Sequence, residues 1–142
     1  MDYTHRLSFK VRDYECDLQG VVNNAVYQNY LEHARHEFLQ ERGINFAAVT
    51  ARGIHLIVIR AELDYRQPLK SGDEFTVCSN VQRQTKLRFE FLQDIIRSSD
   101  RRLILQARII GTSLNKNGRP FVAEELNQLL DDQTSSGTLP GS

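Results

Sequence analysis

The chain has 142 residues, of which 40% are hydrophobic and 25% charged, and its eighteen Lys plus Arg balance eighteen Asp plus Glu to a formal net charge of zero. One domain is expected from that length, and the missing basic field removes nucleic acid and anionic membrane from the expected partners. No apolar run reaches the ~18 residues of a membrane span. Met1-Asp2-Tyr3-Thr4-His5 lacks a basic-then-apolar leader, and Cys16 and Cys78 form neither a C-x-x-C pair nor a disulfide framework, so a cytoplasmic, reducing compartment is expected.

Residues 6 to 12 alternate, with Leu7, Phe9 and Val11 on one side, and predict a half-buried strand. Arg12 to Asn24 loses that period and carries Asp13, Asp17, Gly20, Asn23 and Asn24, which favour turns and caps. From Asn24 to Arg42 the residues Tyr27, Tyr30, Leu31, Ala34, Phe38 and Leu39 recur every three or four positions, predicting one long amphipathic helix with Asn23 or Asn24 as cap and Gly43 as stop.

Period two returns after Gly53, where Ile57, Ile59, Ala61, Leu63 and Tyr65 are expected to face one way until Pro68 ends the strand. Three further strands are expected around Phe75 to Val81, Leu87 to Ile95 and Leu103 to Ile109, joined by turn sequences into an antiparallel meander. Glu124 to Leu130 predicts a short helix. Residues 1–130 read as a single domain, and 131–142 as a disordered tail too polar to pack. The fold class is α+β, with one long helix on a sheet and a second face or edge left for another subunit to protect.

Serine-hydrolase elbows, P-loops, dinucleotide fingerprints and H-E-x-x-H are absent, and His5, His33, His36 and His55 have no metal-ligand spacing, so neither cofactor nor metal is expected. Cys16 has no basic neighbour to activate it and reads as an inert thiol. The informative segment is Arg12 to Tyr27, where Asp17 precedes a glycine turn, an apolar pair and a helix start with unpaired N–H donors. A carboxylate there can attack a carbonyl or activate water while the donors hold the developing oxyanion. An Asp in such a place more commonly caps a helix, and the pattern alone leaves both roles open.

Asp17-x-x-Gly20-Val21-Val22-Asn23-Asn24-Ala25-Val26-Tyr27-x-Asn29-Tyr30, followed by Arg35-His36-Glu37-Phe38-Leu39, resembles the 4-hydroxybenzoyl-CoA thioesterase branch of the hotdog-fold thioesterases. Together with Val11-Arg12-Asp13-Tyr14-Glu15, the same segments are similar to the plant acyl-acyl carrier protein thioesterases related to methylketone synthesis and their bacterial relatives. The resemblance implies a five- or six-stranded antiparallel sheet wrapped around one long helix, assembled into homodimers or homotetramers. It also implies hydrolysis of an acyl-CoA or acyl-carrier-protein thioester to a free, fatty-type acid. By the same resemblance Asp17 matches the catalytic acid, and Asn24 the residue whose backbone N–H polarises the thioester carbonyl. Gly20, Val22, Asn23, Tyr27, Tyr30 and Ile57 are the candidate substrate-binding residues, although core packing accounts equally for the apolar ones. Arg83, Lys86, Arg88, Arg97, Arg101, Arg102 and Arg119 are candidates for an acidic carrier or coenzyme phosphates, or are ordinary solvated side chains. A non-catalytic acyl-binding protein and a hotdog hydratase are the alternatives, the latter weakened because no histidine stands between Arg12 and Tyr27.

Overall fold

In a computed structural model, residues 3–137 are described, with side chains as far as residue 131. The first strand, β1 (His5–Lys10), leads through a single 3-10 turn at Asp13–Glu15 to the long helix α1 (Asn24–Glu41). A short helix α2 (Phe46–Ala51) follows, then β2 (His55–Tyr65), β3 (Glu74–Thr85), β4 (Arg88–Arg97), β5 (Leu103–Leu114), the two-residue β6 (Pro120–Phe121) and α3 (Glu124–Gly137). The strands form one antiparallel six-stranded sheet in the order β1-β3-β4-β5-β2, with β6 also paired to β5. This is the hotdog arrangement expected from the sequence. Among the described residues no helix is long and apolar enough to cross a membrane.

The period of α1 determines what it buries. Tyr27, Tyr30, Leu31, Ala34, Phe38 and Leu39 are its buried residues, the same six that recur at spacings of three and four. They pack on the sheet face carrying Phe75, Val77, Phe91, Ile95, Leu105 and Ile109 in one continuous core. The helix closes where Ile44 N–H bonds back to Leu39 O at 3.0 Å, next to the expected stop at Gly43. His33 lies 3.9 Å from Glu37 on the exposed face.

Four expectations need correction. Helix α2 was not predicted; it is one short turn-and-a-half with Asn45 Oδ1 accepting Ala48 N–H at 3.1 Å, too brief to show a helical period. Strand β2 does not alternate strictly, because a bulge between Val58 and Arg60 shifts the register, pairing Val58 with Gly111 and Ala61 with Ile109. Helix α3 continues past Leu130 to Gly137, and the rest of the expected tail, residues 138–142, lies outside the described residues. Finally, Arg83 and Arg97 are occupied within the fold: Arg83 donates to Asn127 at 3.0 Å, and Arg97 binds Asp100 at 2.8 Å.

Candidate active site

The segment between β1 and α1 is held by backbone bonds on both sides. Val11 N–H donates to Asp73 O at 2.9 Å, Val22 N–H to Leu69 O at 2.9 Å and Asn23 N–H to Glu15 O at 3.1 Å. Glu15 is central: its carboxylate accepts the Arg12 N–H and the Tyr30 hydroxyl, each at 2.8 Å. The Arg12-to-Glu15 spacing of three is the sequence signal for the first of these bonds. Nothing local marks the second.

Residues 17–20 form a tight turn, in which Asp17 N–H bonds to Val21 O at 2.9 Å and Gly20 N–H to Asp17 O at 3.0 Å. Gly20 sits at φ +81°, a left-handed conformation that side-chain-bearing residues adopt only with strain. The exposed Asp17 carboxylate accepts Gln19 N–H at 2.8 Å and Val21 N–H at 3.4 Å through Oδ1. These bonds fix the carboxylate within its own turn. Asp17 therefore does not cap α1.

That role belongs to Asn23, whose Oδ1 accepts Ala25 N–H at 3.0 Å while its carbonyl accepts Val26 N–H at 2.9 Å. Asn24 is the first residue of the helix, so the alternative in which its side chain caps α1 is corrected. Among the described residues its N–H has no hydrogen-bond acceptor, as the position requires. The positive end of the helix dipole adds to its attraction for an anionic oxygen.

Val22, Asn24 and Tyr27 line one cavity of about 360 Å³ together with Tyr65, Arg66, Gln67 and Pro68. Sequence reasoning missed these four because long-range contacts bring them there: the Val22–Leu69 bond, the Val21–Lys70 bridge, and the Tyr27 hydroxyl accepting Leu69 N–H at 3.0 Å. Tyr27 also meets Tyr65 edge to face at 5.6 Å. Burial pushes the Tyr27 phenol pKa up.

The remaining candidates are distributed differently. Gly20 and Asn23 flank the cavity in sequence as turn and cap. Tyr30 lines a separate cavity with Glu15 and His33, where burial, then its bond to Glu15, push its pKa well above the usual phenol range. Ile57 lines a third cavity, between α1, α2 and β2, apart from Asn24. Tyr30 and Ile57 thus do not line the Asn24 cavity: Tyr30 meets the Tyr27 ring edge to face at 6.3 Å but opens on the cavity with Glu15 and His33, and Ile57 sits at the opposite end of β2 from Tyr65. No hydrogen bond joins Asp17 to Asn24 among the described residues.

The thioesterase-like superfamily model matches residues 11–132. The acyl-acyl carrier protein thioesterase ATL3, chloroplastic, of Arabidopsis thaliana is 40% identical over 120 residues, covering 84% of this chain and 63% of that protein. The long-chain acyl-CoA thioesterase FadM of Escherichia coli is 38% identical over 73 residues, covering 51% of this chain and 54% of its own length. The chain thus spans less than two thirds of the length of these curated relatives. In fold it is similar to the 1,4-dihydroxy-2-naphthoyl-CoA thioesterase Slr0204 of Synechocystis, with a TM-score of 0.84 at 16% identity over 89% of this chain and 95% of that one. With its family match extending from Val11, just past β1, into α3, the chain belongs to the thioesterase-like superfamily.

Proposed function

We propose that this chain hydrolyses an acyl thioester, carried on acyl carrier protein or coenzyme A, to a free carboxylic acid. The observation that carries the reading is the Asn24 N–H, a first-turn donor without an acceptor among the described residues, at the wall of a cavity and a few residues beyond an ordered carboxylate turn. The relatives' names support it, as does the family match.

In this reading the thioester oxygen lies against Asn24 N–H, and negative charge moves onto it as the carbonyl carbon is attacked. Asp17 either takes a proton from the attacking water or attacks directly, giving an acyl anhydride that water then cleaves. Collapse of the tetrahedral species breaks the C–S bond, and the thiolate leaves and is protonated. Asp17 Oδ1 is occupied by its own turn, so Oδ2 is the oxygen assigned to the chemistry. Gly20 supplies the turn, Asn23 leaves the Asn24 donor free, and Val22 and Tyr27 contact substrate.

Residues 1–130 act as a single thioesterase domain in this proposal, working as a homodimer or higher homo-oligomer. The exposed β2 edge, with Val58 and Ile59, supports that assembly. Thiol release from a panel of acyl-CoA and acyl-carrier-protein thioesters is the test. Release supports hydrolysis, water addition to an unsaturated acyl chain would support the hydratase alternative, and binding without either reaction would support a non-catalytic acyl binder.

A further inference from the structure

The third cavity, about 400 Å³, is lined by apolar residues such as Phe46, Val49, Phe89 and Ile109 together with the polar Glu32, Arg35, His36, Thr50 and His55. Arg35 is anchored from behind: it donates to Gln93 Oε1 at 3.1 Å, while Gln93 donates to Leu31 O and Ser79 Oγ, each at 3.1 Å. Gln93 and Ser79 are fully buried, so this polar row fixes the guanidinium against the sheet. A guanidinium has five N–H donors. Among the described residues, Arg35 has this one hydrogen bond and no ion pair. Burial pushes its pKa below the ordinary arginine value, and the charge of Glu32 opposes that shift. Arg35 is half-buried, so its remaining donors turn to the cavity and meet water there unless an occupant with a suitable oxygen takes its place.

This cavity and the Asn24 cavity share no lining residue, but one stripe of α1 reaches from one to the other. Asn24, Gln28, Glu32, Arg35 and Leu39 follow at spacings of three and four, one stripe of α1. Strand β2 runs beside it: Tyr65 lines the Asn24 cavity, and Leu56 lines the Arg35 cavity. Eleven residues of helix, 35 minus 24, span about 16 Å at 1.5 Å each. Helical side chains lean back toward the N-terminus, which shortens the reach to the guanidinium. An extended chain of about ten carbons, at roughly 1.25 Å per carbon, reaches about 12 Å, and the backward lean of the Arg35 side chain covers the remainder.

We propose that this cavity receives the far end of the acyl group, and that Arg35 donates there to an oxygen, selecting acyl chains of about ten carbons that carry a distal hydroxyl. The inference rests on the thioesterase reading above and adds the substrate class. A hydroxyl suits the site because it accepts from Arg35 and donates to the neighbouring Glu32 carboxylate. A terminal carboxylate would face that Glu32 charge, and a terminal methyl leaves the guanidinium donors unmet.

The test compares decanoyl with ω-hydroxydecanoyl thioesters, each on coenzyme A and on acyl carrier protein, by thiol release. The parent protein is expected to favour the hydroxylated chain in kcat/KM by roughly 10–100-fold, the worth of a hydrogen bond to a charged group. In Arg35→Met that ratio should fall to near one, and Arg35→Lys should retain part of it. Equal rates for the two chains in the parent overturn the inference while leaving the thioesterase reading intact. So does an Arg35→Met variant that slows both chains alike and keeps the ratio, the signature of a purely structural arginine. If Arg35→Met does not fold, the parent's preference and Arg35→Lys decide. No thiol release from any of the thioesters defeats the thioesterase reading and this inference with it.

Discussion

The side chain of Asn23 caps α1 by accepting Ala25 N–H at 3.0 Å, and so leaves the neighbouring Asn24 N–H free to bind something else. Two adjacent asparagines therefore have different tasks, one structural and the other carried by its backbone. Asn24→Pro removes the donor. Proline is tolerated at the first helical position, and Asn23, at φ −65° and ψ 140°, already has the extended conformation that a residue before proline needs. The expected outcome is a folded protein whose turnover falls by ~10²–10³, the effect of losing one oxyanion donor. Asn24→Ser should be mild in activity, whereas Asn23→Ala should cost about 1 kcal/mol of stability in a urea titration. A folded Asn24→Pro variant with parent turnover would remove the oxyanion assignment.

Asp17→Asn separates charge from geometry. The amide oxygen still accepts Gln19 N–H, so the turn survives, but the group no longer acts as base or nucleophile. Turnover should drop by ~10²–10⁴ with little change in melting temperature. Parent-like turnover in the folded variant would assign Asp17 to the turn alone.

Helix α1 was legible because six apolar residues kept one period over its length, and its cap and stop are local chemistry read from Asn23 and Gly43. The meander was legible for the same kind of reason, since each strand ends at a turn sequence. The cavity wall was not. Tyr65, Arg66, Gln67 and Pro68 reach Asn24 only because β2 pairs with β5 and the following loop is tied to Val22 through Leu69. Nor does any local pattern join Arg35 to Gln93, a bond between residues 58 positions apart. The bulge in β2 lies in a run, Leu56-Ile57-Val58-Ile59, whose continuous hydrophobicity fits either register.

Alkaline stability gives a test of the tyrosine environments. Burial raises the pKa values of Tyr27 and Tyr30, and of Tyr3, which also donates to Asp94. In the unfolded chain these phenols release protons near pH 10. The folded chain holds them more tightly, so above that pH the native state binds more protons and stability falls as pH rises. Below pH 10 the contribution is fully present. Denaturant titrations at pH 8 and 11 should show a steep loss for the parent and a shallower one for Tyr27→Phe/Tyr30→Phe. Equal slopes would contradict these assignments.

Gly111 sets the packing between β2, β5 and the Arg35 cavity. A Cβ there would stand 2.8 Å from Ile57 O and 2.8 Å from the Phe89 ring, so backbone as well as side chain must yield. Gly111→Ala should cost about 1–3 kcal/mol as overpacking, read as a lower urea midpoint at unchanged slope. A neutral substitution would show that β2 moves away without penalty.

Strand β2 ends the sheet order with its outer edge unpaired among the described residues, and Val58 and Ile59 are 52% and 41% exposed along it. An apolar edge of this kind is a template for another strand, and in a two-fold assembly the same edge of a second copy supplies it. Light scattering at assay concentration is expected to find at least a homodimer. Ile59→Lys places a charge at the bulge on that edge, a substitution that disfavours strand pairing without touching the core. It should shift the protein toward monomer and reduce thiol release in parallel, with activity recovering as protein concentration is raised. A monomeric parent with full activity, or an Ile59→Lys monomer as active as the parent, would show that one copy completes the site by itself.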